Sequence, residues 1–199
     1  SVFFPPENCV KKRSILAMGD LKVRRADFVL EACGKLSKTR RDFKIWVVGN
    51  KAEDTPLFKK IVKKYNLDDM VEFFGTVNDD SKLSKIYAES LVFAYFVKES
   101  AFGLSAAEAM ACQTPAIAWK PSGLEELIQD GETGFNIEEN NHDILIKHIE
   151  TLLDNPELSI EMGKKARLRV QNFAERNSKY KELRDLLESW VMKINLSTK

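Results

Sequence analysis

The sequence predicts an α/β domain built on a doubly wound parallel sheet with helices on both faces. Two observations carry this. Short apolar runs such as Ile15-Leu16-Ala17-Met18 and Leu91-Val92-Phe93-Ala94-Tyr95-Phe96 have the length and continuity of strands buried on both sides. Between them lie segments with apolar residues at helical spacing, and regular alternation of strand and helix implies right-handed crossovers. Ligands of such sheets bind beyond the carboxyl ends of the strands, and the loops after Met18, Phe74 and Phe96 are among those that fall there.

The elements follow in order from apolar spacing and punctuation. Ser14 to Gly19 reads as a strand closed by glycine, and Asp27 to Leu36 as a helix with Phe28, Val29, Ala32, Cys33 and Leu36 on its buried face. Phe43 to Gly49 is a second strand, in which Trp46 reads as core. Leu57, Ile61, Val62 and Tyr65 mark a helix whose other face carries Lys59, Lys60, Lys63 and Lys64. Met70 to Phe74 is a third strand, closed by Gly75-Thr76-Val77, and Asp80 is expected to cap a helix with Leu83, Ile86 and Tyr87 on one side. The strand Leu91 to Phe96 leads into a helix from Leu104 to Cys112. Thr114 to Trp119 is a further strand, and Leu124 to Ile128 a short helix. Beyond Gly134-Phe135 the pattern reads as wholly helical. Asp143 or Asn141 opens a helix through Ile144, Leu145, Ile149 and Leu152, and Asn155-Pro156 restarts another. The last helix carries an apolar stripe of Tyr180, Leu183, Leu187, Trp190, Val191 and Ile194, which would invite a partner where uncovered. The organisation expected is a lead-in segment over 1–13, a ligand-binding domain over 14–175 and a C-terminal helix over 176–199.

Charge and composition bound the function. With 31 basic and 30 acidic side chains the net charge is +1, so no global field draws the chain to nucleic acid. No apolar run reaches the roughly 18 residues of a membrane span, and no signal peptide is recognisable. Cys9, Cys33 and Cys112 are widely spaced and lack a Cys-x-x-Cys pair, the expectation for reduced thiols in a cytoplasmic protein. His142 and His148 are off the spacing of a helical metal pair, so no metal site is expected and they read as surface histidines. The lysine face around Lys59 reads as solvated, with peripheral contact to anionic lipid as the alternative. The trio Lys11-Lys12-Arg13 reads as a solvated loop.

The stretch that the rest is organised around is 99–115, ESAFGLSAAEAMACQTP. Here a buried strand feeds a helix through a turn containing Gly103. A helix start leaves backbone N–H groups unpaired and carries about half a positive charge, a natural seat for phosphate. Gly103 lets a ligand approach the backbone. Glu108 lies one turn beyond Leu104, about 6 Å along the axis, on a face otherwise lined by small residues. Such a carboxylate either accepts hydrogen bonds, for which paired ribose hydroxyls are good donors, or pairs with a lysine on a solvated face. A Gly-x-Gly-x-x-Gly fingerprint is missing after the first strand, which disfavours a nicotinamide-binding domain.

Phe102, Gly103, Leu104, Glu108, Ala109, Met110, Ala111, Cys112, Thr114 and Pro115 resemble the donor-site motif of the retaining glycosyltransferases of family 4 and their GT-B relatives, in which two glutamates separated by seven residues bracket a Phe-Gly-Leu turn. Ser122-Gly123-Leu124-Glu125-Glu126 is similar to that family's Gly-Gly-x-Pro-Glu turn, and Asp130-Gly131-Glu132-Thr133-Gly134 to its Asp-Gly-x-Thr-Gly segment. Gly19-Asp20-Leu21 and Arg25-Ala26 stand where the family has Gly-Arg-Leu and Lys-Gly. The series covers roughly residues 14 to 175. Three departures accompany it: Ser100 stands at the position of the first glutamate, with Glu99 beside it; Asp20 replaces an arginine; and Arg25 replaces a lysine.

The resemblance implies a Rossmann-like domain, one half of a GT-B glycosyltransferase, that binds a nucleoside diphosphate sugar such as a UDP-, GDP- or ADP-sugar as substrate, with no further cofactor. It implies donor contacts from Gly19, Asp20, Lys22, Gly75, Thr76, Val77, Phe102, Gly103, Leu104 and Glu108. Arg25, helped by Lys22 or Arg24, would neutralise the departing diphosphate, and Glu99 or Ser100 would meet the sugar hydroxyls. An N-terminal acceptor domain or partner chain would bring a glycan or lipid-linked acceptor. The alternatives are a degenerate domain that kept the fold and lost transfer, favoured by Asp20 and Ser100, and a sugar-nucleotide epimerase, whose acid and base residues find no match.

Overall fold

The computed structural model describes residues 3–19, 24–49, 55–97 and 103–197, with side chains placed as far as residue 176. Six strands, β1 (Ser14–Met18), β2 (Lys44–Val48), β3 (Val71–Gly75), β4 (Val92–Tyr95), β5 (Ala116–Lys120) and β6 (Gly134–Glu138), form one parallel sheet in the order β3-β2-β1-β4-β5-β6. The chain winds outward in both directions from the β1–β4 pair. This is the switch point at which a doubly wound sheet opens a crevice beyond its carboxyl ends.

Six helices cover the sheet: α1 (Ala26–Leu36), α2 (Pro56–Tyr65), α3 (Asp80–Glu89), α4 (Leu104–Ala111), α5 (His142–Asp154) and α6 (Pro156–Ser197). Side chains alternate across each strand, so one sheet makes two cores. Ile15, Ala17, Ile45, Val47, Val92 and Ala94 pack with α1, α2 and α5. Leu16, Met18, Trp46, Val48, Phe93 and Tyr95 pack with α3 and α4. Burying each large member stabilises by about 1.5–3 kcal/mol, and Trp46 lies in this core as expected.

Several expectations change. Gly134–Glu138 is not helical but an edge strand, with Phe135 and Ile137 inward and Glu138 outward. Gly134 is required there, since a Cβ would strike the Ala116 carbonyl oxygen on β5. Leu124 to Ile128 is a single turn rather than a helix, in which Leu127 N and Ile128 N both donate to the Leu124 carbonyl. Asp79, not Asp80, caps α3, accepting from Ser81 N at 2.8 Å and Lys82 N at 3.1 Å. On α2 it is Phe58 that is buried, while Leu57 is 40% exposed; Lys59, Lys60, Lys63 and Lys64 are exposed.

The histidines are half-buried, His142 against the Phe28 ring at 4.2 Å and His148 stacked on Phe135 at 3.9 Å. Nor is the basic trio a solvated loop. Lys11 is half-buried and its amine donates to the Ser90 carbonyl and to Thr114 Oγ1, both at 2.7 Å, while Arg13 bonds Asp42 and the Leu153 carbonyl. These contacts strap the lead-in segment to the ends of α3 and β5. The position 175/176, where the C-terminal helix was expected to begin, lies inside the continuous α6; the apolar stripe beyond it falls outside the described side chains.

Candidate functional site

The loops after β1, β3 and β4 share the carboxyl edge of the sheet. The first and third of them meet at the switch point: Arg24 bridges Val97 in an antiparallel contact, and Arg25 N donates to the Phe96 carbonyl at 2.8 Å. Along the same edge Gly19 N donates to the Val48 carbonyl at 2.7 Å and Gly49 N to the Gly75 carbonyl at 2.9 Å, tying the ends of β1, β2 and β3 together. Gly19 and Gly49 approach backbone to backbone, so a side chain at Gly49 would collide with the Gly19 carbonyl.

Helix α4 opens beside this junction. Leu104 to Ala111 contains only helix-compatible residues, and Gly103 at its N-cap is left-handed, with φ +69° and ψ +39°. No side chain caps it; the Ala106 and Ala107 amides turn back onto the Gly103 carbonyl, and the Leu104 and Ser105 amides find no acceptor among the described residues. The reason for glycine differs from the one expected. The space a Cβ would fill is occupied by the Leu124 side chain rather than kept for a ligand, so Gly103 serves its left-handed turn and its packing. Leu104 itself is 67% exposed at the mouth.

Glu108 sits one turn on, half-buried between α4 and α3. Its Oε2 accepts a hydrogen bond from Tyr87 Oη at 3.1 Å, and Oε1 has no protein partner among the described residues. Burial raises the Glu108 pKa; the Tyr87 hydrogen bond and the nearby positive charge of Arg24 oppose that rise, and Asp80 adds to it. The lysine partner considered as the alternative is not what holds Glu108. Tyr87 is fully buried, and its own pKa is pushed up by burial and by Glu108. By spacing alone Tyr87 belongs with Leu83 and Ile86 on the apolar side of its helix. A tyrosine on a buried helix face needs a partner for its hydroxyl, and that was the available signal.

The cations divide unexpectedly. Arg25 is engaged with Asp27, Nε at 2.9 and 3.1 Å and Nη2 at 2.9 Å, and its guanidinium lies 5.8 Å from the Trp119 ring centroid. The Asp27 hydrogen bond raises its pKa further. Arg24 is the arginine close enough to Glu108 to act on it, and among the described residues no carboxylate forms an ion pair with it. Gly75 ends β3 with φ +64° and open space where a Cβ would stand, Thr76 is exposed, and Val77 is half-buried against the α3 core. Asp20, Lys22, Glu99, Ser100 and Phe102 lie outside the described residues.

The other motif segments are structural. Asp130 Oδ1 accepts from Asn136 N at 2.8 Å, and Thr133 Oγ1 bonds the Leu127 carbonyl and Gln129 N, closing the turn into β6. Ser122 N donates to Glu125 Oε1 at 2.9 Å, shaping the turn that delivers Leu124 to Gly103. Among the described residues no cluster of His, Cys, Asp and Glu could hold a metal ion, and no helix is long and apolar enough to cross a membrane.

Residues 4–169 match the family model described as Glycosyl transferases group 1. An uncharacterized glycosyltransferase of Haemophilus influenzae is 28% identical over 190 residues, covering 93% of this chain and 50% of that protein. The N-acetyl-alpha-D-glucosaminyl L-malate synthase of Bacillus anthracis is 32% identical over 146 residues, covering 73% of this chain and 37% of that protein. Among solved structures, sucrose-phosphate synthase from Thermosynechococcus elongatus superposes with a TM-score of 0.76 at 24% identity, over 93% of this chain and 50% of that one. The fold is thus the Rossmann-like α/β fold of GT-B glycosyltransferases, and the chain spans half or less of each of these relatives.

Proposed function

We propose a donor-binding role from one premise: the chain belongs to the glycosyl transferases of group 1. Within that family we read it as similar to the retaining enzymes of family 4, binding a nucleoside diphosphate sugar for transfer of a hexose to a glycan or lipid-linked acceptor. The observation that carries this reading is the pairing at α4 of an uncapped helix start with a carboxylate one turn later, at the switch point of the sheet.

In this reading the Leu104 and Ser105 amides and the helix dipole take the diphosphate. Glu108 Oε1 accepts from the ribose hydroxyls. Gly75, Thr76 and Val77 border the base, and Glu99 or Ser100 the sugar. Arg24, rather than the Asp27-bound Arg25, neutralises charge on the diphosphate as the glycosidic bond breaks, which is where an oriented cation lowers the barrier. The acceptor half belongs to an N-terminal domain or partner chain, so this chain alone should bind donor and transfer poorly. The exposed lysines of α2 suit peripheral contact with an anionic membrane at its cytoplasmic face.

The rival is a domain that kept the fold and lost the chemistry, for which Asp20, Ser100 and the engaged Arg25 speak. A thermal-shift screen with UDP, GDP and ADP separates the two. Donor binding predicts that one of them raises the melting temperature by several degrees; a scaffold would respond to none.

A further inference from the structure

Glu108 can recognise ribose only if its carboxylate stays ionised and aimed while half-buried, and what arranges this is on α3. We propose that Tyr87 is a positioning residue for the donor site: its hydroxyl holds Glu108 Oε2 and leaves Oε1 turned to the ribose. This rests on the donor-binding reading above and goes beyond it by assigning the recognition of the ribose to a pair of residues on two helices.

The geometry points to this role in three ways. Tyr87 Oη lies 3.1 Å from Oε2 and donates to it across the gap between the two helices. The phenol therefore joins α3 to α4 with its proton directed at the carboxylate. The backbone of Tyr87 is fixed as well: its carbonyl accepts from Thr114 Oγ1 at 2.5 Å and from Ser90 N at 3.0 Å. Its ring is held edge-on by Phe93 at 5.6 Å and Phe3 at 6.1 Å. A donor fixed at both ends loses no further freedom when ligand arrives.

Electrostatics set how much depends on it. The groups acting on Glu108 are Tyr87 and Asp80 from α3 and Arg24 from the loop after β1, while on its own helix Glu108 acts on Cys112. Burial and Asp80 favour the neutral acid; Tyr87 and Arg24 favour the carboxylate. A protonated Glu108 would keep acceptor capacity on one oxygen only, so losing the Tyr87 hydrogen bond should shift the pH at which ribose recognition fails to a higher value.

The test uses the nucleoside diphosphate that stabilises the chain most and its 2′,3′-dideoxy analogue, titrated between pH 5 and pH 8 into the unaltered chain and into Tyr87→Phe and Glu108→Gln. The unaltered chain should prefer the ribonucleotide about tenfold, as expected for lost charge-assisted hydrogen bonds. Glu108→Gln should abolish most of that preference. Tyr87→Phe should reduce it three- to tenfold with dideoxy affinity unchanged, and should move the midpoint of its acid loss upward. The proposal is overturned if Tyr87→Phe keeps both the preference and the midpoint, or weakens the two ligands equally, as a merely structural change would. If the unaltered chain shows no ribose preference, the donor-binding reading itself fails and the role of Tyr87 falls with it.

Discussion

Arg25 and Asp27 form a bidentate pair, Nε and Nη2 each 2.9 Å from a carboxylate oxygen, so the arginine that sequence position nominates for the diphosphate is already held by its own helix. Arg24, its neighbour, is the one whose charge acts on Glu108. Arg24→Gln should therefore weaken nucleoside diphosphate binding by roughly 10- to 100-fold, the loss of about 1.5–3 kcal/mol for a charged hydrogen bond. Arg25→Gln should leave affinity within about threefold and lower stability by about 1–3 kcal/mol, because Asp27 loses its partner. Calorimetric titration and denaturant melts on both variants check the division; equal loss of affinity in the two would refute it.

Gly103 is bound to one conformation by φ and to one neighbour by Leu124. Gly103→Ala should destabilise the chain by about 2–4 kcal/mol, combining left-handed strain with overpacking, and should displace the α4 amides enough to weaken nucleotide binding. Leu124→Ala opens a cavity beneath the turn and should cost about 2–5 kcal/mol. In the double variant the packing part of the glycine penalty should be relieved, so the two costs should sum to more than the double variant loses. Strict additivity in chemical denaturation would show that Leu124 does not hold the turn.

How far the sequence disclosed these features depends on the range over which each is determined. The strand-to-helix passage into α4 was legible because its signals are local: a buried run, Gly103, then helix formers around Glu108. The carboxyl-end placement of the loops after Met18, Phe74 and Phe96 was legible because alternation implies a parallel sheet, whereas the strand order that makes β1–β4 the switch point is set by pairing between remote segments. The edge strand Gly134–Glu138 was not, since its five residues alternate only briefly and its strand character comes from pairing with β5. Lys11 looked solvated because its partners, Ser90 and Thr114, are remote in sequence. Tyr87 looked like core for the same reason, and nothing local distinguishes Arg24 from Arg25 until Asp27 is seen to take one of them.

Burial lowers the Lys11 pKa from 10.5 to about 7. A folded value below the unfolded one means that between those limits the unfolded chain binds the extra proton, so stability rises with pH through that window. Its slope there is at most about 1.4 kcal/mol per pH unit from this residue. Lys11→Met should flatten the rise and be relatively stabilising below pH 7. Urea melts at pH 6, 8 and 10 measure the effect, and an unchanged slope would contradict the buried placement of the amine.

Glu108 works in the opposite sense. Its pKa is raised in the folded state, chiefly by burial, so its contribution to stability is present at low pH and is lost as pH rises through the folded value. Glu108→Gln should therefore gain stability over the unaltered chain as pH rises from 4 to 8, while losing nucleotide affinity. A variant that loses both stability and binding at pH 8 would mean that the carboxylate supports the fold rather than a ligand.

The opening of α4 is the proposed seat of a diphosphate, and amide chemical shifts read that directly. On titration with the stabilising nucleoside diphosphate, the Leu104 and Ser105 N–H resonances should make the largest downfield shifts in the chain, saturating at the concentration that saturates the melting-temperature gain. Shifts concentrated elsewhere, with those two amides unmoved at saturation, would contradict it.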